Sequence, residues 1–159
     1  MNFRLINVGI GNFKVTHSPD ILRTVLGSCV GVCLYDSKSQ LVGLSHVMLP
    51  EQKVTDSNPM KYVNTAIPML LEEMISSGAT RENIQAKIFG GAVMFNLNEK
   101  TIMAEIGKIN ISKTKEVLNL LRIPIVAEDV GGDFGRTIDF FAESGKVKIK
   151  SLGREEREI

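Results

Sequence analysis

Two apolar runs with a period of two residues sit near the start of the chain. The first is Val30-Gly31-Val32-Cys33-Leu34-Tyr35, which stops at the turn-prone Asp36-Ser37-Lys38-Ser39. The second is Leu41-Val42-Gly43-Leu44, which leads on to His46. Alternating runs flanking a short polar connection predict an antiparallel hairpin. Its geometry places Cys29, at the start of the first strand, and His46, at the end of the second, at the same end. Over 61–77 the period changes. Val63, Ala66, Ile67, Leu70, Leu71, Met74 and Ile75 fall on one helical face, with Glu72 and Glu73 off it. Pro68 deletes one backbone bond and predicts a kink or a delayed first turn, and Gly78 supplies the stop.

The remaining pattern fills in around these two elements. Residues 3–16 read as a strand broken at Gly9-Ile10-Gly11, and His17-Ser18-Pro19-Asp20 as a turn with His17 in solvent. The polar stretch from Glu51 to Met60 reads as a surface loop. Ile84 to Phe95 reads as a buried strand running into Gly90-Gly91, followed by a polar connection over 96–103. Asn110-Ile111-Ser112 has the composition of a helix cap, ahead of a helix carrying Val117, Leu118 and Leu121. Ile123 to Glu128 is a further strand, Asp129 to Arg136 a glycine-rich turn, and Thr137 to Phe141 a return to the sheet. Gly145 closes a hairpin into Lys146-Val147-Lys148-Ile149-Lys150, whose lysines suit an edge strand. The charged tail from Arg154 is expected to fray. Strands, helix, strand, helix, strands predicts an α+β fold with helices packed on a mixed sheet.

Composition narrows the function. At 159 residues the chain fits one domain, here 1–159 with a core of about 5–150 and a charged tail at 153–159. A net charge of +1 with no basic block argues against nucleic acid. The apolar runs fall far short of the roughly 20 residues that span a bilayer, so no membrane insertion is expected. The first residues lack the charged start and apolar stretch of a secretory signal. Two cysteines are too few for a disulfide scaffold, and on one strand Cys29 and Cys33 would lie about 13 Å apart. This usage suits free thiols in a reducing cytoplasm.

The candidate chemistry is a thiol and an imidazole within reach of each other. An adjacent imidazole can take the proton of Cys29 and lower its pKa. Gly27 and Ser28 would keep the backbone close to a substrate carbonyl, with the Cys29 amide as oxyanion donor. The residues alone leave open that Cys29 is an inert buried thiol and His46 a structural histidine. Cys33, in mid-strand, reads as core. One cysteine and one histidine lack the closing ligands of a structural zinc site.

The segments LGSCVGVCLYD and SHVMLP resemble the signature of the chemoreceptor glutamine deamidase family, CheD. Lys61-Tyr62, the segment from Lys87 to Phe95, and Asp129-Val130-Gly131-Gly132 with Gly135-Arg136 are similar to further family motifs in matching order over roughly residues 5 to 150. Asn64 and Ile109 depart from the family pattern, which more often has Asp and Arg there. The resemblance implies a cysteine hydrolase that converts receptor glutamines to glutamate, with glutamyl methylesterase activity in some members. It implies Cys29 as nucleophile, His46 as general base and Thr24 as the orienting third group. It implies no cofactor, a shallow substrate groove lined by Gly90, Gly91 and the loop after Pro50, and a layered α/β/β sandwich similar to the catalytic domain of cytotoxic necrotising toxins. The implied partners are the helical cytoplasmic domain of a chemoreceptor and the phosphatase CheC. Two other readings remain: a non-catalytic module that binds receptor or CheC, and a cysteine peptidase.

Overall fold

A computed structural model describes residues 2–52, 58–94 and 102–159, with the side chains of 102–104 excepted. Phe95, most of the connection expected over 96–103, and the middle of the loop after Glu51 lie outside the described residues. The strands are β1 Leu5–Asn7, β2 Phe13–His17, β3 Ile21–Leu26, β4 Val30–Asp36, β5 Leu41–Val47, β6 Ile84–Gly90, β7 Ile125–Val130, β8 Arg136–Phe141, β9 Val147–Lys150 and β10 Arg157–Glu158. Helix α1 spans Val63–Ser76 and α2 spans Ile102–Leu120. The strands form two mixed five-stranded sheets, ordered β2-β5-β4-β6-β7 and β1-β3-β8-β9-β10. The fold is α+β, with helices over the first sheet and the second sheet beneath it.

The alternation of β4 explains the layering. Val30, Val32 and Leu34 belong to the cluster shared with Ile67, Leu70 and Met74 of α1 and Leu118 of α2. Cys33, one position out of step, belongs to the cluster between the sheets with Leu22, Leu26, Leu44, Phe89, Ile138 and Phe140. Both faces of the central strand are therefore buried, and each Leu, Ile or Phe so enclosed contributes roughly 1.5–3 kcal/mol. The expected hairpin is present, with Val30 opposite Val47, Gly31 opposite His46 and Cys33 opposite Leu44. Asp36 accepts from the amides of Lys38 and Ser39 and shapes its turn.

Several expectations need correction. α1 buries its apolar stripe and continues through Pro68, but Ile75 falls outside the buried face and is 41% exposed. The segment 3–16 is not one strand: β1 joins one sheet and β2 the other, so the glycine turn between them is a change of layer. Asn110 does not cap a helix. It lies in the interior of α2, and Gly107 ahead of it permits close approach, since a β-carbon there would meet the carbonyl oxygens of Gly91 and Ala92 at 2.5 and 2.6 Å. β9 is not an edge strand, and the tail from Arg154 does not fray. β10 pairs Arg157 with Ile149 and Glu158 with Lys148, while Arg157 forms an ion pair with Asp129.

Candidate active site

Strand β3 alternates like its neighbours, turning Leu22, Thr24 and Leu26 inward between the sheets. Across the gap, β5 turns Val42, Leu44 and His46 inward. One polar residue in each row breaks the apolar pattern, and the two meet: Thr24 Oγ1 lies 2.7 Å from His46 Nδ1. The same hydroxyl lies 2.7 Å from the carbonyl oxygen of Val8. A carbonyl can only accept, so the single hydroxyl proton goes to Val8. Thr24 Oγ1 must then accept from His46, which assigns the proton to Nδ1 and leaves Nε2 with a free lone pair. Nε2 is buried with no hydrogen-bond partner among the described residues. Desolvation in this interior, only partly offset by the Val8 carbonyl, lowers the His46 pKa to about 4. The imidazole is therefore neutral at physiological pH.

The backbone of His46 is held as firmly as its ring. Its N–H donates to Asn12 O at 3.0 Å, and its carbonyl accepts from Gly11 N at 2.9 Å. Cys29 precedes Gly31, the cross-strand partner of His46, by two residues. Diagonal neighbours of a ladder share a sheet face about 7–8 Å apart at the backbone, but Cys29 lies in the bend just before β4, and no hydrogen bond joins its thiol to His46 Nε2. Cys29 packs against the inter-sheet cluster, on that face.

Gly27, Ser28 and Cys29 form a half-buried bend between β3 and β4. Each carbonyl in the bend is held: Gly27 O by Ala92 N at 2.9 Å, Cys29 O by Gly91 N at 2.8 Å, and Ser28 O by Asn110 Nδ2 at 3.3 Å. Gly90 and Gly91 lie beneath this bend rather than along an open groove. Both are buried, and a β-carbon on Gly90 would stand 2.3 Å from Cys29 O. At φ +95° Gly90 also adopts a conformation that disfavours side chains. Their visible role is to support the bend that carries Cys29. The expected lowering of the Cys29 pKa is corrected: burial pushes the thiol up, and the His46 imidazole rests neutral. Cys33 is fully buried and its thiol is pushed up further by desolvation.

A shallow groove of about 350 Å³ opens beside the imidazole, lined by Val8, Gly9, Ile10, Arg23, Thr24, Val25 and His46. Val25 and Ile10, 66% and 60% exposed, give it an apolar rim. Among the described residues no group of three or more His, Cys, Asp or Glu side chains gathers to hold a metal. Of the expected site residues, the fold brings Thr24, His46, Gly27, Ser28 and Cys29 to one end of the inter-sheet space. Asn110 belongs with them and was missed, because its contacts to Ser28 and Met48 are distant in sequence. The departure at Asn64 is conservative: its Oδ1 accepts from Gln52 N, as a carboxylate could.

Comparison with known proteins places this geometry in a family. The profile of the CheD chemotactic sensory transduction family matches residues 48–151, just beyond the Thr24, Cys29 and His46 cluster. Whole-length relatives include the probable chemoreceptor glutamine deamidase CheD of Caldanaerobacter subterraneus, 46% identical over 96% of both chains. Proteins of the same description from Clostridium novyi and Clostridium botulinum are 47% identical over 96% and 46% identical over 100% of both chains. Among solved structures, the Bacillus licheniformis hypothetical protein YfiH aligns with a TM-score of 0.47 and 16% identity, over 79% of this chain and 58% of that one. On the strength of the family profile and the full-length relatives, this chain belongs to the CheD family.

Proposed function

We propose that this chain is a single-domain protein-glutamine deamidase acting on chemoreceptors, with Cys29 as nucleophile, His46 as general base and Thr24 as the group that orients His46. The observation that carries the reading is the Val8–Thr24–His46 relay, which leaves Nε2 as an unprotonated base on the face that Cys29 shares. The names of the full-length relatives supply the substrate class.

The steps follow from these atoms. His46 Nε2 takes the Cys29 proton as Sγ attacks the glutamine side-chain carbonyl, so charge separates only as the bond forms. The Cys29 amide receives the developing oxyanion. Collapse breaks the C–N bond, and His46 returns the proton to the departing ammonia. Water then attacks the thioester while His46 accepts one of its protons. Loss of the thiol, reprotonated by His46, leaves glutamate. A glutamyl methyl ester presents the same carbonyl with methanol as leaving group, so esterase activity uses the same groups. Bonding through Nδ1–H to Thr24 holds the tautomer through each transfer, as the third group does in hydrolytic triads. The chemistry requires no cofactor.

The shallow, apolar-rimmed groove borders Thr24 and His46 but not Cys29, so it suits a flanking contact with a receptor helix rather than the seat of the reacting glutamine. The same surface is where CheC would compete with receptor. Both cysteines are free, and no helix among the described residues is long and apolar enough to cross a membrane. These features suit action on receptor domains in a reducing cytoplasm. The test is ammonia release from a purified receptor cytoplasmic fragment. Release by the wild-type protein and none by Cys29→Ala or His46→Ala supports the reading. New peptide termini would indicate a peptidase, and stable binding without ammonia a recognition module.

A further inference from the structure

The carbonyls of Gly27 and Cys29 are held by backbone amides, but the one between them, Ser28 O, is held by a side chain: Asn110 Nδ2, at 3.3 Å. That carbonyl belongs to the peptide whose N–H is that of Cys29. Peptide groups are planar and trans, so a carbonyl and the following N–H point in opposite directions. Fixing Ser28 O toward α2 therefore fixes the Cys29 N–H away from α2. Neither the Ser28 nor the Cys29 N–H has a hydrogen-bond partner among the described residues.

Asn110 also donates to Met48 O at 3.1 Å, two residues beyond His46. One amide thus joins the bend carrying the thiol to the strand end carrying the base. Both partners are carbonyls, which only accept, so the amide is oriented with its nitrogen toward them. This arrangement is costly for the helix. Asn110 is fully buried in the interior of α2, its Oδ1 has no partner among the described residues, and asparagine is a mediocre helix former. Stability alone would favour an apolar residue against two carbonyls satisfied in some other way.

We propose that Asn110 is a positioning residue for the reaction: it locks the Ser28–Cys29 peptide in the orientation that makes the Cys29 N–H an oxyanion donor. With that peptide turned over, Ser28 O would face the position where the oxyanion forms and oppose it. The inference rests on Cys29 being the nucleophile of the proposed function, but not on the identity of the substrate.

The test compares two reactions of the same thiol. Acylation of Cys29 by p-nitrophenyl acetate passes through a tetrahedral oxyanion, whereas alkylation by iodoacetamide is a displacement that forms none. Both are measured above a Cys29→Ala background, in variants whose fold is checked by circular dichroism. Asn110→Leu is expected to slow acylation about tenfold or more, since loss of a single oxyanion donor costs about 10²–10³-fold, while alkylation stays within about twofold of wild type. Asn110→Ser, which keeps one donor, is expected to fall between them, and it decides the question if the leucine variant does not fold. Acylation within twofold of wild type in a folded variant would overturn the proposal. So would an equal fall in both rates, which indicates general loosening, or a wild-type thiol that reacts with neither reagent. If the split holds but receptor fragments release no ammonia, the deamidase reading fails and the role of Asn110 stands.

Discussion

Thr24 Oγ1 and His46 Nδ1 lie 2.7 Å apart, joining strands that belong to different sheets. The contact occupies a row that is otherwise apolar, where leaving either partner unpaired would cost roughly 1–3 kcal/mol. One hydroxyl therefore tethers the two layers and sets the tautomer of His46.

Thr24→Val keeps the shape of the side chain and removes that hydroxyl. It strands the Val8 carbonyl and the His46 Nδ1–H in a buried space. We expect the kcat for ammonia release to fall about 10²-fold, as misplacing a general base does, with KM little changed. Thermal unfolding should register a loss of about 1–3 kcal/mol. Thr24→Ser should recover most of both. Activity of Thr24→Val within twofold of wild type would remove Thr24 from the mechanism.

The pH dependence follows from the depressed pKa of His46. The imidazole is neutral above about pH 4, well below the ordinary value of 6.5. The acid limb of kcat/KM should therefore lie near pH 4–5 rather than 6–7. Stability should shift with the same sign. The unfolded chain takes up the His46 proton as pH falls below 6.5, while the folded protein resists until about 4, so stability is full above 6.5 and is lost progressively down to 4. The loss amounts to about 3 kcal/mol. Urea unfolding of wild type and His46→Asn at pH 7, 5 and 4 isolates it, and parallel curves for the two proteins would contradict it.

Gly90→Ala should be severely destabilising. Its β-carbon would stand 2.3 Å from Cys29 O, at a backbone angle of φ +95°. Since the obstacle is backbone in a pinned bend, relief requires moving Cys29. We expect a loss of more than about 2 kcal/mol in thermal unfolding, accompanied by loss of activity. A variant with a wild-type melting temperature would show that the bend is free to shift.

Much of this site was legible in the sequence. The hairpin that aligns Cys29 with His46 follows from two period-two runs and one turn, and the α1 stripe from its spacing. The division into two sheets followed from the family resemblance and not from the residue pattern, because strands buried on both faces look alike whichever sheet they join. Asn110 resembled a cap because Asn-Ile-Ser before an apolar run matches a helix start, and nothing local marked Gly107 as a point of close approach. Both are instead long-range contacts, to Ser28 and to Gly91, that local pattern cannot encode. β10 was hidden because its charged residues pair through backbone bonds and the Arg157–Asp129 ion pair rather than through burial. The resting protonation of Cys29 depended on burial, which appears only once the layers are assembled.

The proposed attack of Cys29 on a receptor glutamine, with His46 as base, changes the mass of the receptor. The most direct measurement is the intact mass of a receptor cytoplasmic fragment after incubation with wild type, Cys29→Ala or His46→Ala. The expected result is a gain of about one mass unit for each modified glutamine, with wild type alone, from exchange of an amide for an acid through a thioester. An unchanged mass with wild type, or the same gain with Cys29→Ala, would contradict it.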